Sequence, residues 1–227
     1  MKDIRMVDLH GQYHKIKDEI DNSVGSVIES TAFINGPIVG EFARDLEEYL
    51  GVKHVIPCGN GTDALQISLM ALNLKPGDEI ITTTFSFIAT AEVISLLGLV
   101  PVLIDIDEKT FNIDVELCKK AITSKTRAII PVHIFGQPVD MTAILNLSLR
   151  YNLYVIEDNC QAIGSDYFTG INSKAKTGTL GDIGCTSFFP SKNLGAYGDG
   201  GAIFTNNNEL ADRIRIIANH GMKKRYY

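Results

Sequence analysis

Residues 79–104 read EIITTTFSFIATAEVISLLGLVPVLI, and this stretch alternates between two hydrophobic patterns. Its two ends, Glu79–Thr83 and Val100–Ile104, are short runs rich in apolar and β-branched residues, which is typical of buried strands. The segment between them, 88–97, carries apolar residues at helical spacing. A strand, a helix and a second strand in this order predict two parallel strands joined by a helical crossover.

The same alternation continues on both sides of this stretch. Seven short apolar runs are predicted strands, at 55–58, 79–83, 100–104, 128–133, 153–157, 184–189 and 202–205. Helical periodicity is found over 12–30, after the turn at 35–37, and over 62–73, 88–97, 114–122, 140–150 and 207–219. Apolar runs separated by crossovers predict an α/β protein with a mostly parallel, seven-stranded sheet that is buried on both faces.

The overall composition excludes several classes of protein. The chain has 227 residues, 45% of them hydrophobic, which is enough for one large domain. Its net charge is −6 and the charges are mixed along the sequence, so nucleic acid is not an expected partner. The N-terminus lacks the apolar segment of a signal peptide, and no run of about 18 apolar residues predicts a membrane span.

The four cysteines, Cys58, Cys118, Cys160 and Cys185, are scattered and do not have the spacing of metal ligands. They are therefore predicted to be free thiols in a reducing, cytoplasmic environment, and no bound metal is expected. Because Cys160 and Cys185 lie near the motifs described below, a thiol nucleophile is an alternative. Small packing residues are the favoured interpretation, since free cysteine commonly packs as a small hydrophobic side chain.

In a parallel sheet that is buried on both faces, ligands bind outside the carboxyl ends of the strands. The first predicted strand is followed by Gly59-Asn60-Gly61-Thr62, which opens a helix. Glycines let the backbone approach an anion, and the N–H groups of a helix N-terminus favour phosphate. A capped helix start without a ligand is one alternative. A dinucleotide fingerprint at Gly59-x-Gly61-x-x-Ala64 is another, but the second strand ends in threonines and lacks the acidic residue that the ribose requires.

Three further strand ends carry residues suited to binding. Phe87 follows the second strand and can cover a planar ligand, although aromatic residues more often belong to the core. Asp158 follows the fifth strand, where it can cap the next helix or hold a cationic heterocycle. Ser187 and Lys192 follow the sixth strand and lead into a glycine-rich loop. A solvated surface lysine is the ordinary interpretation, but an amine in this setting can form a Schiff base with a carbonyl.

Together these strand ends supply a phosphate site, an aromatic ring that can stack on a planar ligand, a carboxylate and an amine. Pyridoxal phosphate (PLP) requires that set, because it carries a phosphate, a planar ring, a pyridinium nitrogen and an aldehyde. Each signal is weak when taken alone, whereas the convergence of all four at one edge of a sheet favours PLP as the cofactor.

Five motifs give the chain a resemblance to a known family. They are NGTDAL (60–65), TFSFIATAE (84–92), PVHIFGQ (131–137), EDNCQA (157–162) and SFFPSKNLG (187–195). In these motifs the chain resembles the DegT-type sugar aminotransferases, which belong to the aspartate-aminotransferase-like group of PLP enzymes. The resemblance implies a three-layer α/β/α fold, the large domain of that group. SFFPSK, with the GDGGAIFT that follows, looks most like enzymes that aminate the 3-keto position of UDP-N-acetyl-hexuronic acids.

The resemblance implies roles for the residues around the cofactor ring. Lys192 matches the lysine that forms the Schiff base, and Asp158 matches the residue that pairs with the pyridine nitrogen. Gln161 matches the polar residue beside the ring and its phenolic oxygen, and Phe87 matches the aromatic residue stacked on the ring. Lys192 and Asp158 are therefore the expected catalytic residues.

Contacts with the phosphate and the substrate are implied in the same way. Gly61, Thr62 and Ser187 match the residues that contact the cofactor phosphate. The loop that holds Ile34 and Asn35 matches a segment that lines the substrate pocket, although a turn alone would explain its Asn-Gly-Pro sequence.

The function implied by the resemblance is transfer of an amino group, from glutamate, to a UDP-linked keto nucleotide-sugar used in cell-surface polysaccharide biosynthesis. A homodimer with shared active sites is expected. Relatives that dehydrate sugars with the same cofactor carry a histidine in place of the lysine, so Lys192 favours transamination over that alternative.

The expected domain organisation over 1–227 is an N-terminal segment followed by the PLP-binding large domain. Family members continue through a smaller C-terminal domain, which the resemblance implies is absent from this chain. A non-catalytic fragment that binds the cofactor is therefore the second alternative.

Overall fold

The computed structural model describes residues 6–171 and 173–223. Its α-helices are α1 (Leu9–Ser30), α2 (Pro37–Leu50), α3 (Gly61–Ala71), α4 (Ala89–Leu96), α5 (Val115–Ala121), α6 (Met141–Tyr151) and α7 (Asn208–Ala218). Its strands are β1 (His54–Cys58), β2 (Glu79–Thr83), β3 (Val100–Ile104), β4 (Thr126–Ile130), β5 (Tyr154–Asp158), β6 (Asp166–Gly170), β7 (Ser173–Lys176), β8 (Ile183–Ser187) and β9 (Gly201–Thr205). Among the helices of these two ranges, none has both the length and the apolar character needed to cross a membrane.

Seven of the strands form one sheet, in the order β1-β9-β8-β5-β4-β2-β3. The pairs from β8 to β3 are all parallel, whereas β9 is antiparallel to both of its neighbours, β1 and β8. The crossover predicted over 79–104 is formed by β2, α4 and β3, with Glu79 opposite Val100 and Thr83 opposite Ile104. The mostly parallel, seven-stranded sheet expected from the sequence is confirmed.

Helices cover both faces of this sheet. On one face, Leu65 of α3 and Ile214 of α7 belong to a buried cluster, and on the other face Ile144 of α6 belongs to a second cluster. Neighbouring residues of β2 point in opposite directions, because Ile80 packs in the first cluster and Ile81 in the second. The three-layer α/β/α arrangement that the resemblance implied is therefore confirmed.

The position of β1 argues against the dinucleotide interpretation. In dinucleotide-binding folds, the strand before the glycine-rich turn lies at the centre of a parallel sheet. Here β1 lies at the edge of the sheet, and its neighbour β9 runs antiparallel to it.

Two strands end earlier than the apolar runs predict. β4 ends at Ile130, directly before Pro131, which has no N–H to donate to a ladder. β8 ends at Ser187 because its partner β9 begins only at Gly201, which lies opposite Ser187. The sequence also failed to predict the hairpin of β6 and β7, whose polar, mostly exposed residues pair only with each other in the described part of the chain.

A buried carboxylate fixes the end of β5. Glu157 is fully buried, and its Oε1 accepts hydrogen bonds from the N–H groups of Leu180 and Gly181, at 2.7 and 2.6 Å. Its Oε2 accepts from the N–H of Gly178 at 2.8 Å and from the His133 ring at 2.9 Å. The carboxylate therefore ties β5 to the loop before β8 and to the segment that follows β4.

The hydrogen bonds of His133 determine which of its ring nitrogens carries the proton. Nδ1 accepts a hydrogen bond from the N–H of Val139 at 3.0 Å, so the ring proton lies on Nε2 and is donated to Glu157. Every neighbour of the Glu157 carboxylate is thus a donor. An ionised carboxylate satisfies all of them, whereas an amide would present N–H groups to some of them.

We expect Glu157→Gln to lower the free energy of unfolding by about 3 kcal/mol, because an amide nitrogen would replace an oxygen that accepts two buried hydrogen bonds. Urea unfolding of both proteins measures the difference. Glu116 of α5 is exposed, so Glu116→Gln is the matched control and should change the stability by less than about 0.5 kcal/mol. Equal stability of Glu157→Gln and the unaltered protein would contradict this account of the network.

Candidate active site

The carboxyl ends of β1, β2, β5 and β8 surround a cavity of about 420 Å³. All seven residues predicted for the cofactor line it: Gly61, Thr62, Phe87, Asp158, Gln161, Ser187 and Lys192. The structure thus brings together residues from four separate strand ends, as expected for an α/β sheet of this kind.

The N-terminus of α3 forms one wall of the cavity. Asn60 caps the helix, since its Oδ1 accepts a hydrogen bond from the N–H of Asp63 at 2.8 Å. Gly61, the first helical residue, is buried so closely that a Cβ there would lie 2.8 Å from both Cys160 Sγ and Ser187 Cβ. The close approach holds the helix start against the end of β8, where free N–H groups favour an anion.

A hydrogen bond connects this helix start to the glycine-rich loop after Lys192. Asn60 Nδ2 donates to Asp199 Oδ2 at 3.2 Å, and both residues line the cavity. Gly201 lies against the same point of the chain, because a Cβ on it would be 2.4 Å from the Asn60 carbonyl. Asp199 was not predicted from the sequence as a residue of this cavity. The one feature that could have indicated it is a single charged residue within the glycine-rich stretch Gly198-Asp199-Gly200-Gly201.

Asp158 lies at the end of β5 and is only 5% exposed. Its Oδ2 accepts a hydrogen bond from the Thr90 hydroxyl at 2.7 Å, and its Oδ1 accepts one from the N–H of Cys160 at 3.2 Å. Within residues 6–171 and 173–223, no cation forms an ion pair with it. A buried carboxylate without a cation is costly, so this site suits a ligand that brings a positive charge.

The thiols near the cavity are not suited to nucleophilic chemistry. Burial, followed by the charge of Asp158, raises the pKa of the Cys160 thiol well above its usual value. Burial likewise raises the pKa of Cys58 to about 12, and it raises that of Cys185 well above its usual value. These thiols stay protonated, which supports packing as their role.

Lys192 and Gln161 each have a backbone contact that holds their segment at the rim. The N–H of Lys192 donates to the Phe189 carbonyl at 2.8 Å, and the half-buried side chain lines the cavity. The Oε1 of Gln161 accepts from the N–H of Phe135 at 3.0 Å, which leaves its amide nitrogen as the group for a ligand. Phe87 is 67% exposed at the cavity edge, so its ring has a face free for stacking.

The structure does not bring Ile34 and Asn35 into this cavity. Asn35 instead lines a separate cleft of about 640 Å³ with Arg213 and Asn219 of the α7 region, and Ile34 is 68% exposed. That cleft is larger, but it contains neither the lysine nor the buried carboxylate. A substrate role for these two residues therefore stays a prediction.

The residues of the 420 Å³ cavity fit pyridoxal phosphate. The α3 N-terminus, with the hydroxyls of Thr62 and Ser187, lines one side of the cavity and offers donors to a phosphate. The pyridinium nitrogen would supply the cation that Asp158 lacks in the described residues, and the Lys192 amine would meet the aldehyde.

Gly61→Ala should lower the free energy of unfolding by about 1–3 kcal/mol, because the added methyl group would overlap Cys160 and Ser187. Denaturant unfolding of both proteins measures this cost. Gly25→Ala in α1 is the matched control, since nothing lies within 4 Å of a Cβ at that position and alanine favours a helix. If Gly61→Ala proved as stable as Gly25→Ala, the helix start could not be held against β8 as described.

Similar proteins match almost the whole chain. It is 48% identical over 224 residues to a UDP-2-acetamido-2-deoxy-3-oxo-D-glucuronate aminotransferase of Pseudomonas aeruginosa, covering 99% of this chain and 61% of that protein. A DegT DnrJ EryC1 StrS aminotransferase of Brucella abortus has a TM-score of 0.93 and 39% identity, over 99% of this chain and 61% of that one. NtdA of Bacillus subtilis with bound cofactor PMP has a TM-score of 0.89 and 37% identity, over 98% of this chain and 49% of that one. The chain thus spans 61% or less of the length of these proteins.

The match to a family covers the site as well as the fold. A model of the DegT/DnrJ/EryC1/StrS aminotransferase family matches residues 14–227. This range contains every residue that was predicted for the site, from Ile34 to Lys192. The chain therefore belongs to the DegT/DnrJ/EryC1/StrS aminotransferase family.

Proposed function

We propose that the protein is a PLP-dependent aminotransferase that transfers an amino group from glutamate to the keto group of a UDP-linked sugar. The main observation in support of this proposal is that Lys192, Asp158 and the N-terminus of α3 line one cavity. The Asp158 carboxylate accepts hydrogen bonds there but has no ion pair among the described residues. NtdA, whose solved structure holds PMP, shares this fold at 37% identity, which supports a cofactor of the same kind here.

Each residue has a role that follows from its chemistry. When bound, PLP supplies a ring that withdraws electrons from the reacting carbon. Lys192 would hold the aldehyde, and its amine would serve as the general base and acid that moves the proton. Asp158 would accept a charge-assisted hydrogen bond from the ring nitrogen. Thr62 and Ser187, with the N–H of Gly61, bind the phosphate.

The relatives support a sugar substrate with a 3-oxo group. The Pseudomonas aeruginosa relative is named for amination of UDP-2-acetamido-2-deoxy-3-oxo-D-glucuronate, and the two sequences are 48% identical. Lys192 would move the proton that transamination requires, whereas the transferred amino group would come from glutamate. We infer a substrate of this class, with a product used in polysaccharide biosynthesis. The four cysteines are free thiols, which fits the reducing conditions of the cytoplasm, where we place the enzyme.

A patch of aromatic rings beside the cavity supports a homodimer. Phe85 lies 5.8 Å from Phe111 and 5.9 Å from Phe135, measured between ring centroids, and Phe135 is 73% exposed. Phe111 and Phe135 have φ angles of 58° and 53°, a backbone conformation that costs about 1–3 kcal/mol for a bulky residue. Exposed apolar rings that are held at such a cost mark an interaction surface, and we propose a second copy of the chain as its partner.

The transfer of labelled nitrogen tests the proposed activity. The protein is first loaded with PLP and is then mixed with 15N-glutamate and UDP-2-acetamido-2-deoxy-3-oxo-D-glucuronate. The product should be a 15N-labelled amino sugar, which mass spectrometry detects. Lys192→Ala should abolish the product, because no amine remains to move the proton. Lys53 is exposed on the N-terminal side of β1, and Lys53→Ala should keep full activity. A dehydrated product without nitrogen would favour the dehydratase, and bound cofactor without any product would favour the non-catalytic alternative.

If the aromatic patch is the dimer interface, a charged residue introduced into it should separate the two chains. Sedimentation equilibrium should give the mass of two chains for the unaltered protein and of one chain for Phe135→Asp, because a charge cannot be buried unpaired. Aspartate tolerates the left-handed backbone of this position. Phe168 of β6 is 71% exposed, so Phe168→Asp is the matched control and should stay dimeric. A monomeric unaltered protein, or a dimeric Phe135→Asp, would contradict this interface.

A further inference from the structure

The carboxylate of Asp158 is held by a residue that the proposed chemistry does not use. Thr90 lies in the first turn of α4 and is 1% exposed, and its hydroxyl donates to Asp158 Oδ2 at 2.7 Å. The other oxygen, Oδ1, accepts the N–H of Cys160 at 3.2 Å. The carboxylate is therefore held from two different segments of the chain, and its plane is fixed by both.

The direction of the Thr90 hydrogen bond follows from a count of protons. Thr90 has a single hydroxyl hydrogen, with Asp158 Oδ2 at 2.7 Å and the Phe87 carbonyl at 3.4 Å as its acceptors. The carboxylate is nearer and charged, so it receives that hydrogen. Ser86 Oγ lies 3.1 Å from Thr90 Oγ1, and with the Thr90 hydrogen already donated, Ser86 must be the donor of this pair. The result is a chain from Ser86 to Thr90 to Asp158, in which each bond polarises the next.

This chain of hydroxyls is built into the turn between β2 and α4. The turn also carries Phe87, which lies at the edge of the same cavity. Thr90 is three residues beyond Phe87, and its N–H donates to the Phe87 carbonyl at 3.3 Å, which connects the ring at the cavity edge to the residue whose hydroxyl contacts Asp158. The segment thereby fixes an aromatic face and a carboxylate with respect to each other.

We propose that Thr90 is a positioning residue, which holds the Asp158 carboxylate in the orientation that accepts the ring N–H of PLP and so keeps that nitrogen protonated. The inference rests on the proposed PLP chemistry and names the residue that makes Asp158 effective in it. Without the Thr90 hydroxyl, Oδ2 would lack its donor and the carboxylate would rotate away from the fixed plane.

The test compares Thr90→Val with a matched variant elsewhere in the core. Thr82 is fully buried in β2 and donates to the Ile130 carbonyl at 2.9 Å, so Thr82→Val also removes one buried hydroxyl bond, but not one to Asp158. Each protein is loaded with PLP labelled with 15N in the ring. The 15N chemical shift then reports protonation of the ring nitrogen, and a titration reports the affinity for PLP.

In Thr90→Val, we expect the 15N signal to move toward the unprotonated position and PLP to bind about tenfold more weakly, as for one lost hydrogen bond to a charged group. Thr82→Val should keep the shift of the unaltered protein, and Thr90→Ser should restore it because serine retains the hydroxyl. Ser86→Ala leaves Thr90 and its hydrogen bond to Asp158 in place, so its 15N signal should not move toward the unprotonated position.

A 15N shift in Thr90→Val equal to that of the unaltered protein would overturn the inference while leaving PLP binding itself intact. If the 15N signal moved as far in Thr82→Val as in Thr90→Val, the inference would also be overturned, because the loss of any buried hydroxyl would then have the same effect. If the unaltered protein gave no bound PLP signal, the proposed function would fail, and this inference with it.

Discussion

The buried carboxylate of Asp158, at the end of β5, is the constraint on which the site depends. It follows Glu157 directly, and two buried carboxylates in sequence are costly unless each is compensated. Glu157 is compensated inside the chain, by three backbone N–H groups and by His133. Asp158 receives hydrogen bonds from Thr90 and Cys160, but it has no ion pair in the described ranges. A cationic ligand would supply the charge that this carboxylate lacks among the described residues.

The sheet places the other groups around that carboxylate. β8 pairs with β5, and it ends at Ser187, beside the N-terminus of α3. The loop that carries Lys192 connects β8 to β9, which are antiparallel neighbours, so it leaves and rejoins the sheet at the pair Ser187 and Gly201. Both ends of the lysine loop are therefore fixed at the edge where the N-terminus of α3 lies. The single antiparallel strand in a parallel sheet explains how one short loop can hold the amine there.

The sequence predicted the elements whose signals are local. Apolar runs and helical spacing located the seven strands of the sheet, and the strand-end rule located Gly61, Phe87, Asp158 and Lys192. Contacts between distant segments could not be predicted in this way. Thr90 meets Asp158 across 68 residues and Asn60 meets Asp199 across 139, so neither pair leaves a periodic signal. The hairpin of β6 and β7 was missed for the opposite reason, since it is local but polar and carries no apolar run.

Identification of the lysine that binds the cofactor is the decisive measurement. Protein loaded with PLP can be reduced with borohydride, digested and mapped by mass spectrometry, which locates the covalently attached pyridoxyl group. We expect a single labelled site at Lys192, because this lysine shares the cavity with Asp158 and the α3 N-terminus. A label on a different lysine, or no label after loading, would contradict the proposed convergence of the strand ends on PLP.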